Sequence, residues 1–260
     1  MDAYRLDTEY KFNPYVLASS TKIEIFPHQI DEVILMLDRP RILLADEVGL
    51  GKTIVAALVA NELAARGLVK KMLFVVPKAL VEKWLEELRN RFEMDAEFLN
   101  SDYLKVNPNP FGREEFCYVA SMDTLKRDRF LELLKEAEID LVVVDEAHKF
   151  SKGTERYGLG RVLAQRTKYM YFLTATPHNG DDEDYISRMR LLDQHITDLE
   201  SAKHLVIRNI KDDIVDIDGR EVFPPRESKT VEIKLSPKEI EIHEMLESFI
   251  AKKIEYAKCK

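Results

Sequence analysis

The chain alternates between short, unbroken apolar runs and longer segments with an apolar residue at every third or fourth position. The unbroken runs are typical of strands buried on both faces, and the periodic segments are typical of amphipathic helices. The predicted strands are RILLA, KMLFVVP (stopped by its proline), AEFLN, EFCYVAS, DLVVVDEAH and KYMYFLTATP. The predicted helices are FPHQIDEVILML, residues 53–66, LVEKWLEELRNRF, RFLELLKEAE and DDEDYISRMRLLD. This alternation predicts an α/β fold whose mostly parallel sheet is covered by helices on both faces.

The same pattern divides the chain into four segments. The polar residues 1–22 predict an N-terminal arm, and residues 23–200 carry the alternating strands and helices. Residues 201–235 predict an extension with a hairpin that turns at Asp218-Gly219, followed by a strand. Residues 236–260 predict a helix that opens with a capping box, Ser236 and Glu239, and with Pro237 at its first position. We expect this helix to start a linker or insertion towards a second lobe outside the chain.

The composition is that of a soluble globular protein, with 45% hydrophobic and 33% charged residues. The net charge of −8 argues against a binder of nucleic acid that uses a generally basic surface, but a local basic track is compatible with it. Cys117 and Cys259 lack partners at metal-ligand spacing, so we expect a reducing, cytoplasmic setting. No run approaches the roughly 18 apolar residues of a membrane span. We expect a monomer without a membrane partner.

The segment ADEVGLGKT lies between a predicted strand and a predicted helix. Gly51, Lys52 and Thr53 match the end of the phosphate loop, although Asp46 occupies its first glycine position. In that context the backbone N–H groups and the positive end of the helix converge on an anion. Lys52 would reach the β- and γ-phosphates of a nucleotide, and the Thr53 hydroxyl would ligate Mg²⁺. The alternative is an ordinary strand–turn–helix junction whose glycines serve packing.

The segment LVVVDEAH places Asp145 and Glu146 at the end of a predicted buried strand, where open α/β sheets bind ligands. Asp145 is suited to hold Mg²⁺, directly or through water, and Glu146 to orient or deprotonate an attacking water. Acids at a strand end can also be mere helix caps. The two motifs together favour an ATPase site with Lys52, Asp145 and Glu146 as its catalytic residues.

The motifs DEVGLGKT, DEAH and LTATPHNG, in this order, resemble those of superfamily 2 helicase-like ATPases. DEVGLGKT and the passage RNIKDDIVD…GREVFPPRE are similar to those of SNF-type DNA translocases, nearest the prokaryotic RNA-polymerase-recycling branch. The resemblance covers roughly residues 26–235. It implies a RecA-like phosphate-loop NTPase lobe with ATP and Mg²⁺ as cofactors. It further implies double-stranded DNA as a partner, and RNA polymerase or another protein complex as a second one.

The resemblance also assigns roles to individual positions. The implied nucleotide-binding residues are Gln29, which would read adenine, with Glu47, Val48, Gly49, Leu50, Gly51, Lys52 and Thr53. The residues implied to couple nucleotide state to the grip on nucleic acid are His148, Thr174 and Thr176. The residues implied to contact DNA phosphates are Ser121, Lys126 and Arg127. For Gln29 the alternative is a solvated residue on a helix surface, and for the last three a solvated turn. Trp84 is expected to pack in the core rather than to stack on a base.

The family works with two lobes, and its second lobe supplies an arginine finger that is worth orders of magnitude in rate. We therefore expect this chain to bind ATP and Mg²⁺, to hydrolyse ATP weakly, and not to translocate alone. Two alternatives stay open. One is a strand-separating DEAH-box helicase acting on DNA or RNA, and the other is a nucleotide-gated docking module for a partner complex.

Overall fold

The computed structural model describes residues 25–215, 220, 222–224 and 236–258. The chain divides into two compact units, with the boundary between Phe223 and Pro224. The predicted N-terminal arm, the hairpin turn at Asp218-Gly219 and the strand predicted after it lie outside the described residues. The four-segment division therefore stays a prediction.

The first unit is built on one sheet of seven parallel strands in the order β3-β4-β2-β5-β6-β1-β7. The strands are β1 Arg41–Leu44, β2 Lys71–Val76, β3 Glu97–Phe98, β4 Phe116–Ser121, β5 Ile139–Asp145, β6 Thr167–Leu173 and β7 Val206–Ile207. The predicted α/β fold with a mostly parallel sheet is confirmed.

The helices of this unit are α1 Pro27–Asp38, α2 Lys52–Ala65, α3 Val81–Phe92, α4 Ser101–Val106, α5 Met122–Leu125, α6 Asp128–Glu136, α7 Glu155–Arg166, α8 Asp182–Leu192 and α9 Leu199–Ala202. The second unit contains α10, Pro237–Lys258, with the predicted capping box: Ser236 N donates to Glu239 Oε2 over 2.7 Å, and Glu239 N donates to Ser236 Oγ over 3.4 Å. Among the described helices, none is long and apolar enough to cross a membrane.

Two layers of apolar side chains cover the two faces of the sheet. Successive residues of β2 alternate between them, because Phe74 packs with α2 and α3 on one face while Leu73 and Val75 pack on the other. Trp84 is part of the first layer, as predicted. Burial on both faces explains why the strands form unbroken apolar runs.

The elements that the sequence pattern missed are β7, α4, α5, α7 and α9. β7 is only two residues long, and it is held by pairing with β1, where Val206 lies opposite Leu43. α7 is interrupted by two glycines and buries few side chains, so its apolar period is weak. Its start carries a signal that could have revealed it, since the Thr154 side chain caps it by accepting a hydrogen bond from Tyr157 N.

The register of the central strands places three strand ends at one level. Leu173, the last residue of β6, lies opposite Leu44 of β1 on one side and Asp145 of β5 on the other. The loops that follow β1, β5 and β6 therefore leave the sheet at the same edge, where the sequence predicts the phosphate loop and the acid pair.

The two glycines of α7 differ in their surroundings and offer a test of this packing. A Cβ atom on Gly160 would lie 2.9 Å from Leu191 and from Phe150, whereas a Cβ atom on Gly158 would have no neighbour within 4 Å. We expect Gly160→Ala to lower the free energy of unfolding by about 1–3 kcal/mol through overpacking. We expect Gly158→Ala to raise it by about 0.5–1 kcal/mol, because glycine disfavours helix. Urea denaturation followed by circular dichroism measures both, and equal effects of the two changes would contradict the packing described.

Candidate nucleotide-binding site

The loop between β1 and α2 has the backbone of a phosphate loop. Gly49 and Gly51 have φ angles of +94° and +89°, in the left-handed region that favours glycine. A Cβ atom on Gly51 would lie 2.2 Å from Nε2 of Gln29, so space as well as conformation requires glycine there. α2 begins at Lys52, directly after this turn, and its first N–H groups form the end of the helix that attracts anions.

Lys52 lies between the phosphate loop and the acid pair. Its ammonium group donates to the carbonyl oxygens of Asp46 and Glu47 over 2.7 and 3.1 Å. Burial lowers the pKa of Lys52, while the negative charges of Asp46, Asp145 and Glu146 favour its charged form. Because the carboxylates of both motifs act on this one ammonium, the structure brings the two predicted motifs together.

Asp145 is held by hydrogen bonds to both of its oxygens. Oδ1 accepts from the backbone N–H of Glu146 over 2.9 Å, and Oδ2 accepts from the indole N–H of Trp84 over 3.0 Å. Burial raises the pKa of Asp145, and the bond from Trp84 opposes that rise. The contact of Trp84 with Asp145 was missed by the sequence analysis. A signal existed, because a buried indole N–H needs an acceptor.

Glu146 adopts a left-handed backbone with φ of +53°, an uncommon conformation for a residue with a side chain. Such backbone strain is concentrated at functional sites. Its Oε2 atom lies 3.1 Å from Nδ1 of His148. The two acids therefore belong to different elements. Asp145 is the last residue of β5, and Glu146 begins the turn that contains His148.

The three predicted coupling residues meet at one ring nitrogen. Nδ1 of His148 lies 3.0 Å from the hydroxyl oxygen of Thr174 and 3.5 Å from that of Thr176. Thr176 N also donates to the Thr174 hydroxyl over 3.2 Å. Burial lowers the pKa of His148, although Glu146 opposes this effect. The imidazole thus connects the acid pair with the loop after β6, and the role of that connection stays a prediction.

A side chain of α8 holds the loop that follows β6. Arg188 is buried, and its guanidinium donates to the carbonyl oxygen of Pro177 over 2.7 Å and to the carboxylate of Asp184 over 2.5 Å. The other oxygen of Asp184 accepts from the backbone N–H of Lys152, in the loop after the acid pair, over 2.7 Å. One ion pair therefore holds both loops in place, which the sequence analysis did not anticipate.

Gln29 is buried against the phosphate loop, with 3% of its surface exposed. Its Oε1 accepts from Phe26 N over 3.1 Å, and its Nε2 donates to the carbonyl oxygen of Leu50 over 3.0 Å. The alternative of a solvated glutamine on a helix surface is therefore wrong. Recognition of adenine by Gln29 stays a prediction.

The remaining loop residues differ in exposure. Leu50 is buried, whereas Val48 has 69% of its surface exposed at the tip of the loop. The Glu47 carboxylate accepts a hydrogen bond from Lys211 N over 3.0 Å, so it faces the segment after β7.

The three residues predicted to contact DNA phosphates lie together after β4 but have local partners. The buried Ser121 caps α5 by accepting from Thr124 N over 3.1 Å, so it is not part of a solvated turn. Lys126 pairs with Glu155 at 2.9 Å, and Arg127 donates to the Ser101 hydroxyl over 3.3 Å. Their contact with nucleic acid stays a prediction.

A buried polar group beside the phosphate loop escaped the sequence analysis. Glu32 of α1 and Asp46 of the loop are 1% and 0% exposed. Asn209, which follows β7, donates from its backbone N–H to Asp46 Oδ1 over 2.8 Å and from its side chain to Glu32 Oε1 over 2.5 Å. Sequence distance hides this group, because Asn209 is 163 and 177 residues from its two partners.

Comparison with known protein families agrees with this geometry. The family model described as "Type III restriction enzyme, res subunit" matches residues 22–179, more than half of the chain. The RNA polymerase-associated protein RapA of Erwinia tasmaniensis is 36% identical over 200 residues, which cover 71% of this chain and 21% of that protein. RapA of Vibrio vulnificus is 38% identical over 181 residues, covering 65% of this chain and 18% of that protein. The chain thus spans about a fifth of the length of these relatives.

The fold has solved counterparts. The SWI2/SNF2 ATPase core of Sulfolobus solfataricus in complex with dsDNA matches with a TM-score of 0.64 at 22% identity, covering 75% of this chain and 46% of that chain. The same core domain in another structure matches with a TM-score of 0.60 at 22% identity, covering 78% of this chain and 46% of that chain. The RecA-like fold implied by the sequence motifs is confirmed. The chain belongs to the family of the matching model, and within superfamily 2 it is an SNF-type, N-terminal helicase-like ATPase lobe related to RapA.

Proposed function

We propose that the chain is the ATP-binding motor lobe of an SNF-type, DNA-dependent ATPase that moves along double-stranded DNA together with a second lobe. The observation that carries this proposal is the position of Lys52, whose ammonium group lies between the phosphate loop and the acid pair. The family membership supports ATP hydrolysis as the class of reaction.

The phosphate loop binds the polyphosphate of ATP. The N–H groups at the start of α2 donate hydrogen bonds to the phosphate oxygens, and Lys52 exchanges the carbonyl oxygens of Asp46 and Glu47 for phosphate oxygens. Gln29, buried against the loop, is the proposed adenine-reading residue.

The oxygen donors at the site fit Mg²⁺, which prefers carboxylate and hydroxyl ligands. Thr53, on the first turn of α2, and Asp145, held in one orientation by Trp84, are the residues that would hold it. When bound, the ion neutralises phosphate charge. Because the buried indole N–H already orients Asp145, its carboxylate needs little rearrangement when Mg²⁺ binds.

Glu146 positions the attacking water for in-line displacement at the γ-phosphorus. Catalysis of this reaction consists mainly of positioning and charge stabilisation. The Glu146 carboxylate accepts the proton of that water, and His148 at 3.1 Å orients the carboxylate. The hydroxyl groups of Thr174 and Thr176, which meet the same imidazole, transmit the change at Glu146 to the nucleic-acid side of the lobe.

Double-stranded DNA is the proposed track, and the Sulfolobus solfataricus core that shares the fold was solved with dsDNA. RNA polymerase is the proposed protein partner, because the RapA relatives carry that association in their name. The prokaryotic cytoplasm is the proposed location. A strand-separating helicase and a nucleotide-gated docking module are the remaining alternatives.

Two substitutions separate nucleotide binding from hydrolysis. We expect Lys52→Ala to weaken the affinity for Mg²⁺ and ATP by at least about tenfold, because a charged hydrogen-bond donor is lost. We expect Glu146→Gln to bind normally but to lower the rate by at least about a hundredfold, the usual worth of a general base. Nucleotide binding is measured with the 260-residue chain, from the fluorescence of its single tryptophan, Trp84. Hydrolysis is measured as phosphate release by protein that carries both lobes.

Lys83→Ala, at an exposed position of α3, is the matched control. Normal turnover by Glu146→Gln would contradict the assigned role.

The DNA contact has its own test. We expect Arg127→Ala to weaken dsDNA binding by protein that carries both lobes. We also expect it to reduce the slope of log affinity against log salt concentration by about one, because one phosphate contact is lost. Arg129→Ala, two residues further on at an exposed position, is the control. A docking module would keep nucleotide affinity while lacking any DNA affinity, and a helicase would separate strands in a displacement assay.

A further inference from the structure

Glu32 and Asp46 form a buried pair of carboxyl groups behind the phosphate loop. Within the described part of the chain, Oε2 of Glu32 and Oδ2 of Asp46 are buried without a hydrogen-bond partner. Burial and the neighbouring Asp46 raise the pKa of Glu32 to about 9. Burial raises the pKa of Asp46 as well. Two adjacent buried carboxyl groups avoid ionising together, so near neutral pH Glu32 keeps its proton.

Asn209 bridges the two carboxyl groups. Its backbone N–H donates to Oδ1 of Asp46 over 2.8 Å, and its side-chain amide donates to Oε1 of Glu32 over 2.5 Å. A single residue after β7 thus joins α1 to the phosphate loop.

The segment that carries Asn209 is also paired with the loop through the backbone. Ala45 N donates to the carbonyl oxygen of Ile207 over 2.7 Å, and Glu47 N donates to that of Asn209 over 3.1 Å. Lys211 N returns a hydrogen bond to the Glu47 carboxylate over 3.0 Å. The backbone that these bonds fix, at Asp46 and Glu47, is the backbone whose carbonyl oxygens place Lys52.

We propose that Asn209 is a positioning residue for nucleotide binding, which fixes Asp46 and Glu47 of the phosphate loop through its hydrogen bonds to Asp46, Glu32 and the backbone of Glu47. The proposal rests on the nucleotide-binding function proposed above. Because coupling free energies are reciprocal, a nucleotide that stabilises this loop also stabilises residues 207–211. Nucleotide state is thereby transmitted to the segment after β7.

The pair makes nucleotide affinity depend on pH in a definite direction. The groups that face Glu32 are Asp46 and Lys52 with the amide of Asn209, and Asp46 also faces His28. Ionisation of Glu32 places a second negative charge beside Asp46, so affinity for an anionic nucleotide falls as the pH rises through about 9. Glu32→Gln removes the titrating proton and keeps an oxygen that accepts from the Asn209 side chain.

The experiment measures the affinity of the 260-residue chain for a fluorescent ATP analogue with Mg²⁺ at pH 7 and pH 9.5. We expect Asn209→Ala to weaken binding about tenfold at pH 7. We expect Glu32→Gln to bind like the wild type at pH 7 and to retain affinity at pH 9.5, where the wild type weakens several-fold. Lys52 also titrates at high pH, since burial lowers its pKa, but it is present in both proteins, so their difference isolates Glu32.

Asp212→Asn and Asp31→Asn, at exposed positions near Asn209 and Glu32, are the matched controls and should follow the wild type at both pH values. A folded Asn209→Ala variant that binds like the wild type overturns the proposal. If Asn209→Ala does not fold, Glu32→Gln decides, and the same loss of affinity at pH 9.5 as in the wild type overturns it. A wild-type chain that binds no nucleotide contradicts the proposed function itself, and this inference with it.

Discussion

The alignment of three strand ends is the constraint on which the site depends. β6 lies between β1 and β5, and Leu173 is level with both Leu44 and Asp145. A slip of two residues between neighbouring strands would displace the phosphate loop from the acid pair by about 7 Å, beyond the reach of a hydrogen bond. The apolar layers on both faces fix this register, because a shift would separate close-packed side chains from their neighbours in both layers.

The alignment of the strand ends also brings several charged side chains together at this edge of the sheet. Four carboxyl groups, those of Glu32, Asp46, Asp145 and Glu146, act on the single ammonium of Lys52. Four fully ionised carboxylates would repel an anionic ligand such as a phosphate. The proton held by Glu32 and the hydrogen bonds from Asn209 and Trp84 remove or disperse part of that negative charge. The polar groups around the loop therefore prepare it for phosphate as well as holding its shape.

Local sequence pattern was sufficient for six of the seven strands, most helices and the two motifs, because each is encoded by neighbouring residues. Gly51-Lys52-Thr53 and Asp145-Glu146 could be assigned for that reason. The partners of these residues could not, since Trp84 reaches Asp145 across 61 residues and Asn209 reaches Asp46 across 163. β7 was missed for the same reason. Two residues are too few to show a hydrophobic period, and only their pairing with β1 defines them as a strand.

Hydrogen exchange with and without Mg²⁺ and a non-hydrolysable ATP analogue tests most directly whether the phosphate loop is the nucleotide site. Binding there predicts slower exchange of the amides of residues 46–54 and, through their hydrogen bonds to the loop, of residues 207–211. The far edge of the sheet around β3 should exchange at an unchanged rate. Unchanged exchange in the loop at saturating nucleotide, or protection confined to another part of the lobe, would contradict a nucleotide held between Lys52 and the acid pair.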